Sequence, residues 1–412
     1  MVPGASAGAA TPTFTRDVAP ILFRHCASCH GATDGANGVA LLSYDAARRA
    51  AKSIGAQVQA RAMPPWLADP ARSLRFRNDP RLSDSEMATV LQWIDAGTPE
   101  GDGADLPPTP DVGQQWLDAV GRGPDAVVAL PEIHIPASGE VPYVQQLVKV
   151  PAGADHWIAA MQLRAGNRQV LHHMGITEVA LPQGMGPTEI NQLTSLARTL
   201  GFPDGSLADM SPAVVDAANA NAYDMLGVYT PGTTFENFAD DSGKLLKSGG
   251  NYYLNFNIHY ASTGKPESDR SQLALWFRST PPAHQLFRAP LAVNTIIANG
   301  QELLSDAPGT RAEGTSVAIP PIPAYAHDYE LVGVSAFTQA VTLFQLQPHA
   351  HMRARDFTYL AVYPDGREQT VLSVPAYDFH WQLAYVLEQP LELPAGSKLI
   401  VTAHYDLSLI HI

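Results

Sequence analysis

The stretch Asn251–Tyr260 (NYYLNFNIHY) alternates between polar and apolar side chains. Its apolar face is formed by Tyr252, Leu254, Phe256, Ile258 and Tyr260. Because successive side chains of a strand point to opposite faces, this period of two predicts a β-strand with one buried face. His259 lies on the other face, so we expect it to point away from its own core, toward solvent or a cleft.

Short β-rich runs recur on both sides of this stretch, between turns that contain Pro and Gly. They are Tyr143–Val150, Val170–Val179, Leu273–Phe277, Ala340–Leu346, Phe357–Val362 and Lys398–Tyr405. Many short strands at close spacing are typical of β-sandwiches. The Pro-rich segment Ala318–Ala324 separates two strand groups that both contain histidines. We therefore predict two antiparallel β-sandwiches in tandem, with a helix near Glu189–Leu200.

The chain before residue 131 has helical rather than strand periodicity. Phe14–His25 places apolar residues at helical spacing, and Ser83–Ala96 opens with a Ser–x–x–Glu capping box. Gly101–Pro110 (GDGADLPPTP) has the composition of a linker. The sequence thus predicts a multidomain protein in which a small all-α domain precedes the sandwiches. The predicted boundaries are 1–103 for the α domain, 104–130 for a linker, and 131–285 and 286–412 for the two sandwiches.

Composition narrows the class of function. The chain has 26 Lys and Arg against 40 Asp and Glu. This acidic balance argues against partners such as nucleic acids and anionic membrane surfaces, which need basic patches. No run of about 18 apolar residues occurs, so no membrane span is predicted. The two cysteines lie in one motif, so we expect no disulfide framework in the sandwiches.

That motif is Cys26-Ala-Ser-Cys29-His30, a CxxCH sequence. Two thiols at this spacing can both form thioether bonds with one porphyrin, and His30 then binds the iron of a haem c. The alternatives are a chance match or a zinc half-site. The position of the only two cysteines in this motif, directly after an apolar helix, favours haem. Because such haem is attached outside the cytoplasm, we expect a periplasmic or secreted protein, with an export signal upstream of the sequence given.

Met63, in Arg61–Trp66 (RAMPPW), is the candidate for the second axial ligand of the iron. A thioether ligand raises the reduction potential, which suits electron transfer, and the two prolines stiffen the loop. Met87 is the competitor, but core packing accounts for its place on the apolar face of the last helix. Residues 13–100 resemble the short bacterial members of the cytochrome c family, in which a CxxCH helix, a Met-Pro-Pro-Trp loop and a closing helix recur.

Several of the 14 histidines occur at the spacing of metal ligands. His172 and His173 are adjacent in a strand-like run, so both reach one metal only if that strand is bent or bulged. His349 and His351 are two residues apart and are expected to share one face of a strand, an arrangement that suits copper or zinc. Taken singly, each histidine is more often a surface or structural residue. Together with His259, the groups indicate metal binding.

The region from about Pro131 onward resembles the copper type II, ascorbate-dependent monooxygenases, the family of dopamine β-monooxygenase and the peptidylglycine hydroxylating enzyme. The matching stretches are Gly166–His173 (GNRQVLHH), Tyr229–Gly232 (YTPG), Asn257–Tyr260 (NIHY) with Gly264-Lys265 and Asp269-Arg270-Ser271, and Gln347–Arg353 (QPHAHMR). The resemblance implies two jelly-roll-like sandwiches that face a solvent-filled cleft.

The resemblance also implies two copper sites and a reaction. His172, His173 and His259 match the ligands of an electron-storing copper, and His349 and His351 match those of a second copper that binds dioxygen. The implied reaction is hydroxylation of a C–H bond in a small-molecule substrate. The haem is then expected to relay electrons from an external donor, either a redox protein or an ascorbate-like reductant.

One expected ligand of the second copper is missing. In this family the second copper also takes a Met thioether, which in bacterial relatives follows a His-Tyr-Asp-x-Ser segment. His404–Ser408 (HYDLS) matches that segment, but no Met follows it before Ile412. Met352 is next to the histidine pair but would point to the opposite strand face. We therefore expect the second sandwich to be incomplete in this sequence.

Two other classes of function remain open. The first is a haem and copper electron-transfer or copper-binding protein without oxygenase activity. The second is a zinc hydrolase, because three histidines with an open coordination position also describe catalytic zinc. A hydrolase has no use for the electrons that the predicted haem would carry, and this counts against a zinc hydrolase.

Overall fold

The computed structural model describes most of the chain. The described residues are 10–31, 39–110, 116, 121–139, 141–150, 153–181, 225–230, 235–238, 241–249, 252–288, 295–305, 322–350 and 353–408. The helix predicted near Glu189–Leu200 lies outside these residues, and so do His351, Met352 and His411. Within the described parts, no helix combines the length and the apolar character needed to cross a membrane.

The chain forms two compact units. The first comprises Met1–Trp66 and Asp79–Gln115, and the second comprises Leu67–Asn78 and Trp116–Ile412. Strands predominate, and the three α-helices in the described residues lie in the first unit.

The first unit contains a π-helical turn, three α-helices and a 3-10 turn. They are Phe14–Val18, α1 (Ala19–His25), α2 (Tyr44–Gln59), α3 (Asp84–Asp95) and Gly103–Asp105. Ser83 caps α3: its hydroxyl accepts from the Glu86 backbone N–H at 3.2 Å, and the Glu86 carboxylate accepts from the Ser83 N–H at 2.9 Å. The predicted capping box is therefore confirmed. Phe14, Leu22 and Trp93 belong to one apolar core that holds these elements together.

The second unit is built from two successive groups of strands. The first group is β1 (Ala126–Ala129), β2 (Ile133–Ile135), β3 (Val144–Lys149), β4 (His156–Arg164), β5 (Leu171–Ala180), β6 (Met225–Tyr229), β7 (Phe235–Asn237), β8 (Ser242–Leu246), β9 (Tyr252–Tyr260), β10 (Glu267–Asp269), β11 (Gln272–Phe277) and β12 (His284–Gln285). The second group is β13 (Thr295–Ala298), β14 (Gln301–Ser305), β15 (Tyr329–Ala336), β16 (Val341–Leu346), β17 (Ala354–Val362), β18 (Glu368–Val374), β19 (Tyr385–Leu393) and β20 (Lys398–Tyr405). Each predicted strand coincides with or overlaps one of these. β1 lies within residues 104–130, the range that the sequence analysis predicts to be a linker.

The first group forms a sandwich. One sheet has the order β1-β11-β4-β8-β12, with β7 also paired to β4, and the other has the order β3-β9-β5-β6. A single apolar core contains side chains from both sheets, including Ile158 of β4, Leu275 of β11, Ile176 of β5 and Phe256 of β9. The alternation predicted for β9 is confirmed from Leu254 to Tyr260, because Leu254, Phe256, Ile258 and Tyr260 are all buried in this core. At the start of the strand the prediction is wrong, since Tyr252 is half-buried and Tyr253 is buried.

The second group forms a six-stranded sheet, β14-β13-β15-β20-β17-β18, and a two-stranded sheet, β16-β19. All of these pairings are antiparallel. Both sheets contribute buried apolar side chains, such as Tyr359 and Ala361 of β17 and Leu387 and Leu393 of β19. The protein is therefore mainly antiparallel β, with β-sandwich character in its larger unit.

Candidate metal centre

A β-bulge places His172 and His173 side by side. The pairing of β5 with β9 shifts register between Leu171 and His173, so His172 is the extra residue on the bulged strand. A bulge kinks the strand and breaks the strict alternation of side chains. The sequence analysis requires a bent or bulged strand for two adjacent histidines to bind one metal, and β5 has such a bulge. His259 lies directly opposite His173 on β9.

The three imidazoles have the mutual spacing of ligands on one ion. Their ring centroids are 5.1 Å apart for His172 and His173, 5.3 Å for His172 and His259, and 5.0 Å for His173 and His259. Metal–nitrogen bonds of about 2.0–2.1 Å place the rings on one tetrahedral ion about 5 Å apart. One nitrogen from each ring lies within 4.8 Å of the other two. Within the described parts of the chain, this is the group of His, Cys, Asp and Glu side chains that could hold a metal ion.

Tyr143 contacts two of these rings. Its ring stacks on His259 with centroids 4.7 Å apart, and its hydroxyl lies 3.2 Å from Nε2 of His173. If the Nε2–H donates to this hydroxyl, the lone pair of His173 is on Nδ1. That Nδ1 atom lies 2.9 Å from Nδ1 of His172, and two nitrogens bound to one metal are about 3 Å apart. In that tautomer the lone pair of His173 faces Nδ1 of His172.

His172 lies in partly apolar surroundings. Its ring stacks on Phe379, with centroids 5.0 Å apart. Burial, together with the nearby imidazoles of His259 and His380, lowers the pKa of His172 to about 4. The ring is therefore neutral at physiological pH, and a neutral imidazole is the form that binds metals.

A buried carboxylate fixes the loop that leads into the bulge. Asp269 accepts hydrogen bonds from the hydroxyls of Tyr260 at 2.9 Å and Ser271 at 2.8 Å. It also accepts from the backbone N–H of Asn167 at 2.7 Å. A Cβ on the neighbouring Gly166 would lie 2.5 Å from backbone atoms of the facing strand connection, so only glycine fits there. Asp269 therefore ties residues 166–167, which precede β5, to the end of β9 next to His259.

His349 lies beside this cluster, although not on a strand. β16 ends at Leu346, so the prediction that a strand carries His349 is wrong. A buried glutamine orients its ring instead: Nδ1 of His349 donates to Oε1 of Gln382 at 2.6 Å. This fixes the lone pair on Nε2, as partners of metal-binding histidines usually do. The ring centroid of His349 is 6.2 Å from that of His173.

Other residues around the predicted second copper are partly described. His351 lies outside the described residues, so its prediction as a ligand is not addressed by the geometry. His404, on β20, donates from Nδ1 to Asp356 at 2.6 Å, and its Nε2 is 3.6 Å from Glu330. These carboxylates hold the pKa of His404 above its usual value. His404 therefore acts as a partner of Asp356 in this structure.

The CxxCH residues lie at the end of α1. Both Cys26 and Cys29 are free thiols. Burial, with the neighbouring Cys29, raises the pKa of the Cys26 thiol to about 12. A thiol binds zinc as its thiolate, and burial of Cys26 disfavours that charged form in the metal-free chain. Nδ1 of His30 lies 3.1 Å from the carbonyl oxygen of Val39. Donation to that oxygen leaves Nε2 to face an iron, so these residues fit the requirements of a c-type haem.

The two candidate methionines occupy different surroundings. Met63 follows α2 and precedes a cis Pro64 peptide bond. Met87 of α3 packs against the apolar core of the helical unit, as the sequence predicted. The geometry thus accounts for Met87 by packing, and Met63 stays the predicted axial ligand.

Three residues next to the histidines were not identified from the sequence as part of the site: Tyr143, Phe379 and Gln382. Tyr143 stood only as the first residue of a predicted strand. Phe379 and Gln382 lie between β18 and β19, and no periodicity or motif marked them. Asp269 was quoted as part of the resemblance but was given no role.

No family model and no curated relative matches the chain. Among solved structures, it is similar to PNGF-II at 9% identity, over 68% of this chain and 62% of that chain, with a TM-score of 0.22. It is also similar to an allantoicase at 8% identity, over 67% of this chain and 81% of that chain, with a TM-score of 0.16. A Paenibacillus xanthan lyase is similar at 10% identity, over 73% of this chain and 26% of that chain, with a TM-score of 0.15. The chain thus spans 62% of the length of PNGF-II, and none of these TM-scores supports an inference about fold or activity.

Proposed function

We propose that this chain is a haem- and copper-dependent oxidoreductase that hydroxylates a C–H bond of a small molecule with dioxygen. Its cytochrome c domain is the helical unit within residues 1–103, without Leu67–Asn78, which belong to the other unit. This domain would hold haem c through Cys26, Cys29 and His30, with Met63 as the second ligand of the iron. Two jelly-roll-like sandwiches hold two copper ions. The protein acts in the periplasm or outside the cell, and it takes electrons from an external redox protein or small reductant.

The observation that carries the proposal is the three-imidazole cluster, whose rings are 5.0–5.3 Å apart. Three histidines suit either copper or zinc. A CxxCH motif in the same chain favours copper, because a one-electron carrier is of use to a metal that changes oxidation state. Bound copper would supply that one-electron chemistry.

The chain's own residues prepare the site. The bulge at His172 brings two adjacent imidazoles to one side of β5, and Asp269 holds the loop that enters it. Tyr143 orients His173, while Gln382 orients His349. Preformed orientation of this kind lowers the cost of ordering ligands when a metal binds.

Reoxidation of the haem tests the proposal. The full chain is produced in a host that attaches haem c, loaded with copper, reduced without oxygen, and mixed rapidly with dissolved dioxygen. We expect the haem absorption bands to report faster oxidation in the copper-loaded than in the copper-free protein. His173→Ala should abolish the difference, whereas the control His156→Ala should retain it, because His156 stacks on Phe277 instead.

The class of reaction is tested in the same preparation with isotopically labelled dioxygen. Label in an organic product indicates a monooxygenase. Copper-dependent haem oxidation with no labelled product for any C–H compound offered would favour an electron-transfer protein. A haem oxidation rate that does not depend on copper would refute the proposal.

A further inference from the structure

One segment of the N-terminal part of the chain belongs structurally to the second sandwich. This segment, Leu67–Asn78, is here called the strap. Its backbone pairs with β18: the N–H of Asp69 donates to the carbonyl of Ser373 at 2.8 Å, and the N–H of Leu74 donates to that of Val371 at 3.0 Å. β18 is the edge strand of the six-stranded sheet, so the strap covers an edge that would otherwise expose unpaired backbone groups.

The same strap pairs with β19 of the two-stranded sheet. The N–H of Arg77 donates to the carbonyl of Val386, and the N–H of Glu388 donates to the carbonyl of Arg75, both at 2.9 Å. The strap therefore joins one strand from each sheet of the second sandwich.

Side chains reinforce this pairing on the β19 side. Phe76 is buried and packs on Tyr385, with ring centroids 5.3 Å apart. The side-chain amide of Asn78 donates to the carbonyl of Ala384 at 2.8 Å and accepts from the N–H of Val386 at 2.9 Å. An amide side chain is suited to this double role because it carries both a donor and an acceptor.

A second side chain holds the β18 side. The hydroxyl of Ser73 accepts from the N–H of Ser373 at 2.9 Å and lies 3.3 Å from its carbonyl oxygen. Residues of the strap thus bind the chain at Ser373 and again at Ala384 and Val386. These contacts lie on either side of the connection from β18 to β19.

That connection carries the two residues that contact the candidate ligands. Phe379 stacks on His172, and Gln382 accepts the hydrogen bond of His349. The connection also has internal order, because the Gln382 amide donates to the carbonyl of Phe379 at 3.2 Å. A shift at either end would therefore move both contacts together.

We infer that the strap positions the metal centre, and that Ser73 and Asn78 are positioning residues for His349 and His172. They act by clamping both ends of the β18–β19 connection, which in turn holds Phe379 and Gln382. This inference rests on the proposed function for the identity of its metal. The effect of Ser73 and Asn78 on the β18–β19 connection can be measured in the metal-free chain. It makes copper binding in the sandwiches depend on a segment that comes from between α2 and α3.

The test compares two double variants of the full chain. Ser73→Ala with Asn78→Ala removes the side-chain clamps and leaves the backbone pairing. Arg72→Ala with Arg75→Ala is the matched control, because these side chains lie on the same strap and are exposed. Haem content and far-ultraviolet circular dichroism establish that both variants fold. Amide hydrogen exchange is then measured on the metal-free chain, and Cu(II) affinity by competition with a chelator.

We expect exchange in residues 377–384 to rise by about tenfold in the clamp variant, as local opening becomes easier, with β9 unchanged as an internal reference. Cu(II) affinity should fall by roughly three- to tenfold, and the control should match the wild type in both. Unchanged exchange in residues 377–384 would overturn the inference, and so would faster exchange with full copper affinity. A wild-type chain that binds no Cu(II) would instead refute the proposed function, so the two failures are distinguishable.

Discussion

Removing the hydrogen-bond partner of His349 should weaken copper binding by a predictable amount. Gln382 is only 4% exposed, and its Oε1 accepts from Nδ1 of His349 at 2.6 Å. In Gln382→Leu, of similar volume, that N–H loses its acceptor in a place where water cannot readily replace it. Such a loss costs about 1–3 kcal/mol. Loss of a partner that orients a metal-binding histidine typically lowers affinity by about 10- to 100-fold, or roughly 1.4–2.8 kcal/mol.

The assay is a chelator competition that resolves the first and second equivalents of copper. We expect Gln382→Leu to weaken the second equivalent by that factor and to leave the three-histidine site nearly unchanged. Gln382→Glu keeps an oxygen acceptor and should retain most of the affinity. Gln285→Leu, at an exposed glutamine of β12, is the control. A second affinity within twofold of the wild type in Gln382→Leu would show that Gln382 does not orient a ligand.

Three further predictions concern other contacts. Asp269→Asn replaces a buried acceptor of three hydrogen bonds, so urea titration should show a loss of about 2–4 kcal/mol in the free energy of unfolding; a loss below 0.5 kcal/mol would contradict this. Because Asp356 raises the pKa of His404, their pairing should contribute about 1 kcal/mol below pH 6.5 and lose it as the pH rises through the higher folded pKa. His404→Gln should therefore destabilise the protein at pH 6 more than at pH 9, and equal effects at both would refute the assignment. Tyr143→Phe removes one hydrogen bond to His173, worth about 1 kcal/mol, so copper affinity should fall about fivefold; unchanged affinity would exclude an orienting role.

Local patterns in the sequence predict much of the fold. The alternation in β9 gives its bounds and buried face because one side of this strand contributes to a core while the other does not. The capping box of α3 is equally local, since it needs only residues three apart. Strand pairing is not local, and nothing in the pattern of Leu67–Asn78 shows that it adds to strands some 300 residues away.

The candidate site is predictable in part for the same reason. His172, His173 and His259 stand out by residue type and spacing. The sequence shows that a bent or bulged strand is needed for His172 and His173 to reach one metal, but it does not show where the bulge lies. Tyr143, Phe379 and Gln382 are common residues whose role comes only from tertiary contact. The alternation of residues 345–351 predicts a strand that carries His349, but β16 ends at Leu346 and Pro348 follows. Proline lacks the N–H that a continuing ladder needs.

The central claim is that one chain holds a haem and redox-active copper. The most direct measurement is the metal content of the haem-matured chain after exposure to equal amounts of copper and zinc, followed by desalting. The account predicts one iron, present as haem c, and two copper ions per chain, with one copper lost in His259→Ala and none in His134→Ala. Zinc in place of copper, or a copper content that His259→Ala leaves unchanged, would contradict it.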